Sequence, residues 1–227
     1  MTNGDNATYL FGEMGPARLH CSSEPFWTAL LTFFMLHLGA QERTESRISV
    51  YRYRNGASQP GYEVRRPSSF IQLAKLQRQN IRMEPKNLAG YRGADTTVGG
   101  ICPDIFVELP EQELLNDSPT HLILECKTIG ADLRRDQILK YLKFADHLQR
   151  GGDRCEVLLV TSVGSEGNVY ARAKEVQAKS DGRLGLLLWE DLFRRMAQTR
   201  FALPGFDFQE IVSAGYTKAL DDEVFRE

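Results

Sequence analysis

Short apolar runs punctuate this chain, and their lengths set its secondary structure. Ile101-Cys102-Pro103-Asp104-Ile105-Phe106-Val107-Glu108-Leu109 and His121-Leu122-Ile123-Leu124-Glu125-Cys126-Lys127 are rich in β-branched and aliphatic residues and have the length of strands. Cys155-Glu156-Val157-Leu158-Leu159-Val160-Thr161 is almost continuously apolar, as a strand buried on both faces should be, and residues 184–189 form another. Helical spacing predicts helices over 132–148 (stopped by Gly151-Gly152), near 167–180, and over 190–198. Upstream, Ser22-Ser23-Glu24-Pro25 is a helix-start signal. Phe26, Leu30, Phe33, Phe34 and His37 follow at helical spacing, with apolar residues around much of the helix, so it is expected to lie buried against a sheet. Residues 47–54 alternate as a strand, Asn55-Gly56 offers a turn, and 62–66 would return. Ser68-Ser69 is expected to cap a helix running to about residue 79, with Phe70, Leu73, Ala74 and Leu76 on one side. Residues 81–100, with Pro85 and four glycines, read as a loop, and residues 1–20 as a loose lead-in. Strands alternating with helices predict an α/β fold.

The second run carries chemistry in its alternation. Glu125 and Lys127 share one face of a strand and Cys126 takes the other. If the first run pairs beside it, Asp104 stands next to Glu125 at a strand spacing of roughly 5 Å. Two carboxylates and an ammonium then converge at one sheet edge, a set suited to holding a divalent metal against a phosphate and steering a water. Ten residues past the lysine, Gln137 and Tyr141 form an i, i+4 pair that a helix places on one face.

Pro103-Asp104 followed by Glu125-Cys126-Lys127 resembles the motif of the PD-(D/E)XK nuclease superfamily, the restriction-endonuclease-like fold. Gln137-x-x-x-Tyr141 is similar to the motif on the helix after the core strands in its exonuclease-like branch. The matches span about forty residues, a minority of the chain. The resemblance implies a central mixed β-sheet flanked by helices and a Mg²⁺- or Mn²⁺-dependent deoxyribonuclease. It implies Asp104 and Glu125 as metal ligands, the Cys126 carbonyl in the shell, Lys127 on the attacking water, and Gln137 and Tyr141 against the DNA strand and the site. It implies restriction, phage defence or repair as the setting. Glu24 would add a metal-shell acid, with Glu13 a weaker rival.

Plainer roles compete for the same residues. Glu125 and Lys127 also suit a solvated edge-strand pair, Glu24 the charge complement of a helix N-terminus, and Tyr141 an aromatic packed on a core face. Glu108 shares the strand face of Asp104, as an outer ligand or a solvated strand end. His20, His37, His121 and His147 show no ligand spacing, and His37 reads as a core histidine.

Charge is uneven along the chain. The net charge over 227 residues is −2, yet residues 43–92 hold eleven Lys or Arg against three acids, Glu45, Glu63 and Glu84. There Arg52, Arg54, Arg65, Arg66, Arg78 and Arg82 interleave with aromatic residues, an expected surface for DNA, where phosphates meet cations and bases meet rings. A solvated hairpin and helix is the alternative. Cys21, Cys102, Cys126 and Cys155 lack zinc-ligand spacing and read as reduced thiols. The longest apolar stretch, 26–38, is too short to span a bilayer, and the start lacks a basic signal region. A cytoplasmic protein with no membrane partner is expected.

With 42% hydrophobic residues the chain suits one domain: a first core helix at 22–40, a basic insertion at 43–100, a catalytic core at 101–199 and an aromatic tail at 200–227 that docks on the domain or on a second copy. The expected function is metal-dependent hydrolysis of DNA, alone, as a homodimer or in a larger defence or repair complex. The alternatives are an inactive DNA-binding or assembly subunit on the same scaffold, and an RNase.

Overall fold

Helix α1 (Glu24–Gly39) carries proline in its first turn, where the missing N–H would have no helical partner anyway. Apolar residues surround it, and Phe26, Trp27, Leu30, Leu31, Phe34, Met35 and Leu38 are all buried, as that pattern requires. Thr32 is buried too, its hydroxyl donating to the Thr28 carbonyl at 2.9 Å. The computed structural model describes residues 24–42, 44–54, 61–62, 66–85, 88, 91–93, 100–110, 118–127, 133–161, 173, 176 and 183–202.

Among the described residues, eight strands form one mixed sheet: β1 (Arg47–Arg54), β2 (Gly61–Tyr62), β3 (Ser69–Gln72), β4 (Ile81–Met83), β5 (Ile105–Glu108), β6 (His121–Cys126), β7 (Cys155–Thr161) and β8 (Leu184–Leu188). Their order is β2-β1-β8-β7-β6-β5-β4, with β3 also on β1. The pairs β6–β7 and β7–β8 are parallel; β4–β5, β5–β6 and β1–β8 are antiparallel. Helix α2 (Arg135–Arg150) makes the crossover between β6 and β7, and α3 (Trp189–Gln198) leaves β8 directly.

Helices cover both faces, so β6 and β8 are buried from end to end. On one face Leu122, Leu124, Cys126, Leu158 and Val160 pack with α1 and with Trp189, Leu192 and Phe193 of α3. On the other, Ile123, Val157, Leu159 and Leu186 pack with Ile138, Tyr141, Phe144 and Leu148 of α2. Gly185 is needed in β8, because a Cβ there would lie 2.7 Å from Leu158 Cδ2 and 2.9 Å from Val50 Cγ1. Among the described residues no helix is long and apolar enough to cross a membrane.

Two expectations are corrected in the upstream half. The helix expected from Ser69 is strand β3, which pairs residue by residue with Arg47–Val50. Its burial runs Ile71, Gln72, Leu73 and Leu76, leaving Phe70 exposed, and Lys75 at φ 66° cannot continue a helix. Within the expected loop 81–100, Ile81–Met83 pairs with β5 as β4, too short a strand for its alternation to be legible. The segment expected as an insertion thus supplies β1 to β4 of the one sheet. Helix α2 begins at Arg135 rather than 132. The lead-in lies outside the described residues, as does the tail beyond 202 and most of the helix expected near 167–180, of which only Ala173 and Val176, both helical and buried, are described.

Candidate active site

The β5–β6 register aligns Ile105 with Leu124, so Asp104 stands one step further on, beside Glu125. Asp104 is held from two sides. Its carbonyl accepts the Glu84 N–H at 2.8 Å, and its Oδ2 accepts the Cys126 N–H at 2.6 Å. Pro103, which has no N–H to place, is buried just before it.

Glu125, 1% exposed, lies on the α2 face of β6. Its Oε1 receives Lys127 Nζ at 2.7 Å and Gln137 Nε2 at 2.9 Å. Its Oε2 lies 3.0 Å from the Tyr141 hydroxyl, which is also 2.9 Å from the Cys102 carbonyl and accepts Gln137 Nε2 at 2.8 Å. That hydroxyl has one proton for two acceptors. Burial, reinforced by the Glu125 charge, pushes the Tyr141 pKa up, so the phenol stays neutral and a donor. The aromatic ring is fully packed, so Tyr141 serves core and site together.

Lys127 directly follows β6, with both backbone groups engaged. Its N–H donates to the Val160 carbonyl at 2.8 Å, and its carbonyl accepts the Trp189 indole N–H at 3.2 Å. The first residue of α3 thereby fixes the strand end from which the ammonium projects. Cys126 faces the α1 core; burial raises its thiol pKa well above the ordinary range, so it is a neutral packed thiol. Glu24 opens α1, but its side chain lies outside the described residues, as does Glu13.

Asp104, Glu125, Lys127, Gln137 and Tyr141 border a pocket of about 620 Å³. Arg134, Asp136 and Lys140 also line it and were not read from the sequence. Lys140 stands at i+3 from Gln137, a spacing that flags it; Arg134 precedes the helix and carries no such signal. The donor set fits a hard divalent ion: the carboxylates of Asp104 and Glu125 both line the pocket, and oxygen ligands are what such an ion takes. No cluster of three or more His, Cys, Asp or Glu suited to a metal occurs among the described residues, but Mg²⁺ keeps several waters and needs few protein ligands.

Of the arginines expected to meet DNA, the described ones, Arg52, Arg66, Arg78 and Arg82, do not line this pocket. Arg52 lies on β1 and Arg82 on β4, with four strands between them in the sheet order. Arg52 pairs with Glu156 at 2.5 Å, and Arg82 with Glu108 at 2.8 Å while its guanidinium stacks 5.2 Å above the Tyr91 ring. Glu108 is therefore an ion-pair partner at the far end of β5. Arg78 donates to the Ile81 carbonyl at 2.6 Å, and Arg66 is exposed. Arg65 and the Arg54 side chain lie outside the described residues.

His37 is packed, with Nε2 3.2 Å from the Thr199 carbonyl, and His147 contacts the Arg92 carbonyl. His121, buried at the opposite end of β6 from Glu125, touches Thr120, Tyr91 and Asp153. Compared with protein-family models, with curated proteins and with solved structures, the chain matches none.

Proposed function

We propose that this chain is a divalent-metal-dependent nuclease of the PD-(D/E)XK type that hydrolyses DNA phosphodiester bonds. One observation carries the reading: Asp104 just before β5, and Glu125 and Lys127 at the end of the adjacent β6, meet Gln137 and Tyr141 of α2 at a single pocket. A mixed sheet flanked by helices is the architecture the resemblance implies, which supports it further.

The residues divide the work by their chemistry. Asp104 and Glu125, with the Cys126 carbonyl, would hold Mg²⁺ or Mn²⁺, which when bound lowers the pKa of water and neutralises phosphate charge. Tyr141 and Gln137 fix the Glu125 carboxylate through its two oxygens, so its orientation does not depend on solvent. Lys127, anchored through its backbone and paired with Glu125, lines the pocket with its ammonium and is suited to orient the attacking water or a phosphate oxygen. Lys140 and Arg134 at the rim supply positive charge for the flanking phosphates.

A non-catalytic scaffold is favoured by one observation, the engagement of both Glu125 oxygens by side chains of the chain itself. Incubation of the protein with end-labelled single- and double-stranded DNA, and with RNA, in Mn²⁺ or EDTA separates the readings. Metal-dependent fragmentation of DNA by the wild type, absent in Asp104→Asn, is expected. Cleavage of RNA alone would make it an RNase, and no cleavage of either with Mn²⁺ bound would favour the scaffold.

A further inference from the structure

A second concavity, of about 500 Å³, opens between β1, β3 and α3, lined among others by Arg47, Ser49, Phe70, Arg194 and Arg195. Among the described residues it holds three arginines against one acid, Asp191. Asp191 is already engaged: Tyr51 donates its hydroxyl to Oδ2, and Arg194 bonds Oδ1 at 2.8 Å. Burial, with Asp191 next, raises the Tyr51 pKa and keeps that phenol a donor. Arg47 and Arg195 bond neutral groups, the Gln72 side-chain oxygen at 3.1 Å and the Glu45 carbonyl at 2.5 Å. Their charges therefore lie at the cavity with no carboxylate bonded to them among the described residues. Phe70, 57% exposed, is the one large hydrophobic side chain exposed among the described residues.

The cavity lies at the same end of the sheet as the candidate active site and is lined from both cores, Ile48 and Leu192 coming from the α1 side. Tyr51 and Leu188 belong to the α2-side core, the side on which Glu125 meets α2. Ser49 is two residues from Tyr51 on the same strand face, and Phe70 is its partner in β3. Leu188 lines the cavity and pairs with Thr161, which follows Val160, the partner of Cys126. Two strand spacings, about 10 Å, thus separate Lys127 from the cavity's near edge.

We infer that this cavity is the second arm of the substrate path: it seats a single-stranded segment of DNA, its phosphates on Arg47 and Arg195 and an unpaired base stacked on Phe70. Cationic side chains beside an exposed ring are the combination that tracks a strand without reading its sequence. Asp191, neutralised by Tyr51 and Arg194, fixes the floor and does not oppose the phosphates. The assignment rests on the nuclease reading for what happens at the other end of the path, and not for the binding itself.

Fluorescence anisotropy with a labelled single-stranded oligonucleotide in EDTA, as a function of salt, tests it without cleavage. Arg47→Gln with Arg195→Gln should weaken binding and lower the log–log salt slope by about 1.4, about 0.7 for each phosphate of a single strand no longer neutralised. Phe70→Ala, an exposed change that spares the core, should weaken binding roughly tenfold with the slope unchanged, since a stacked base is lost and no phosphate contact is. Wild-type affinity and slope in both variants, each shown folded by thermal melting, would overturn the path. Cleavage by the wild type is scored separately. Binding that depends on these residues without any cleavage leaves the path standing and removes the nuclease; cleavage with binding indifferent to them does the reverse.

Discussion

Lys127 and Glu125 form an ion pair of 2.7 Å with side chains 8% and 2% exposed, at the end of a strand buried on both faces. Two charges so placed are costly to desolvate, and each depends on the other. Removing the lysine leaves a buried carboxylate whose remaining partners, Gln137 and Tyr141, are neutral. Lys127→Met should therefore destabilise the fold by about 3–5 kcal/mol, and Glu125→Gln added to it should recover part of that loss. Urea denaturation of the single and double variants checks this; a lysine variant as stable as wild type would show that the pair is solvated.

Asp104→Asn keeps an oxygen for the Cys126 N–H while removing the charge that would retain a cation. The expected outcome is stability within about 1 kcal/mol of wild type, since a neutral hydrogen bond replaces a charge-assisted one, together with loss of Mn²⁺ binding and cleavage. Calorimetric titration with Mn²⁺ beside thermal melting separates the two effects. Retained Mn²⁺ affinity would remove Asp104 from the ligand set.

Tyr141→Phe deletes only the hydroxyl that reaches Glu125 Oε2 and the Cys102 carbonyl. A residue that orients a metal ligand typically contributes about 10–100-fold in metal affinity or activity, and that loss is expected here. The single-turnover rate at saturating Mn²⁺, compared with the rate at limiting Mn²⁺, tells a weakened ion site from a slowed chemical step.

Arg52 lies on a strand position alternate to Tyr51, turned from the α2 side, and its charge is matched by Glu156. Arg52→Gln should leave the salt dependence of DNA binding at the wild-type slope, in contrast to the paired change at Arg47 and Arg195. A slope lowered by about one would return Arg52 to the footprint.

His121 is held below the ordinary histidine pKa by burial, which outweighs the attraction of Asp153 and Glu108 and is aided by Arg92. A depressed folded-state pKa means that the unfolded chain takes up the proton first as pH falls. Its contribution to stability is complete above about pH 6.5, the unfolded value, and is lost as pH drops from there toward the folded pKa. The melting temperature should fall between about pH 7 and pH 5, and His121→Gln should flatten that dependence. Parallel profiles for the two proteins would show that other groups titrate there.

Local pattern alone determined much of this molecule. The lengths of the apolar runs marked out β5, β6, β7 and β8, and strand alternation placed Glu125 and Lys127 on one face with Cys126 on the other, because a side-chain period of two needs no partner to hold. Gln137 and Tyr141 likewise share a helix face at i, i+4. What the pattern could not decide was pairing. Ser69–Gln72 has residues that serve either a helix or a strand, and the open edge of β1 decided for the strand. Ile81–Met83 is too short to show a period, and β5 makes it a strand. A run of arginines along the sequence reads as one surface only if the chain stays together; β1 and β4 went to distant positions in the sheet, and Arg52 and Arg82 found acids there. Conversely Arg47, Phe70 and Arg195, scattered along the chain, meet at one cavity because β1 pairs with β3 on one edge and with β8, the strand leading into α3, on the other. Strand order is set by long-range hydrogen bonds and burial, and no local spacing encodes it.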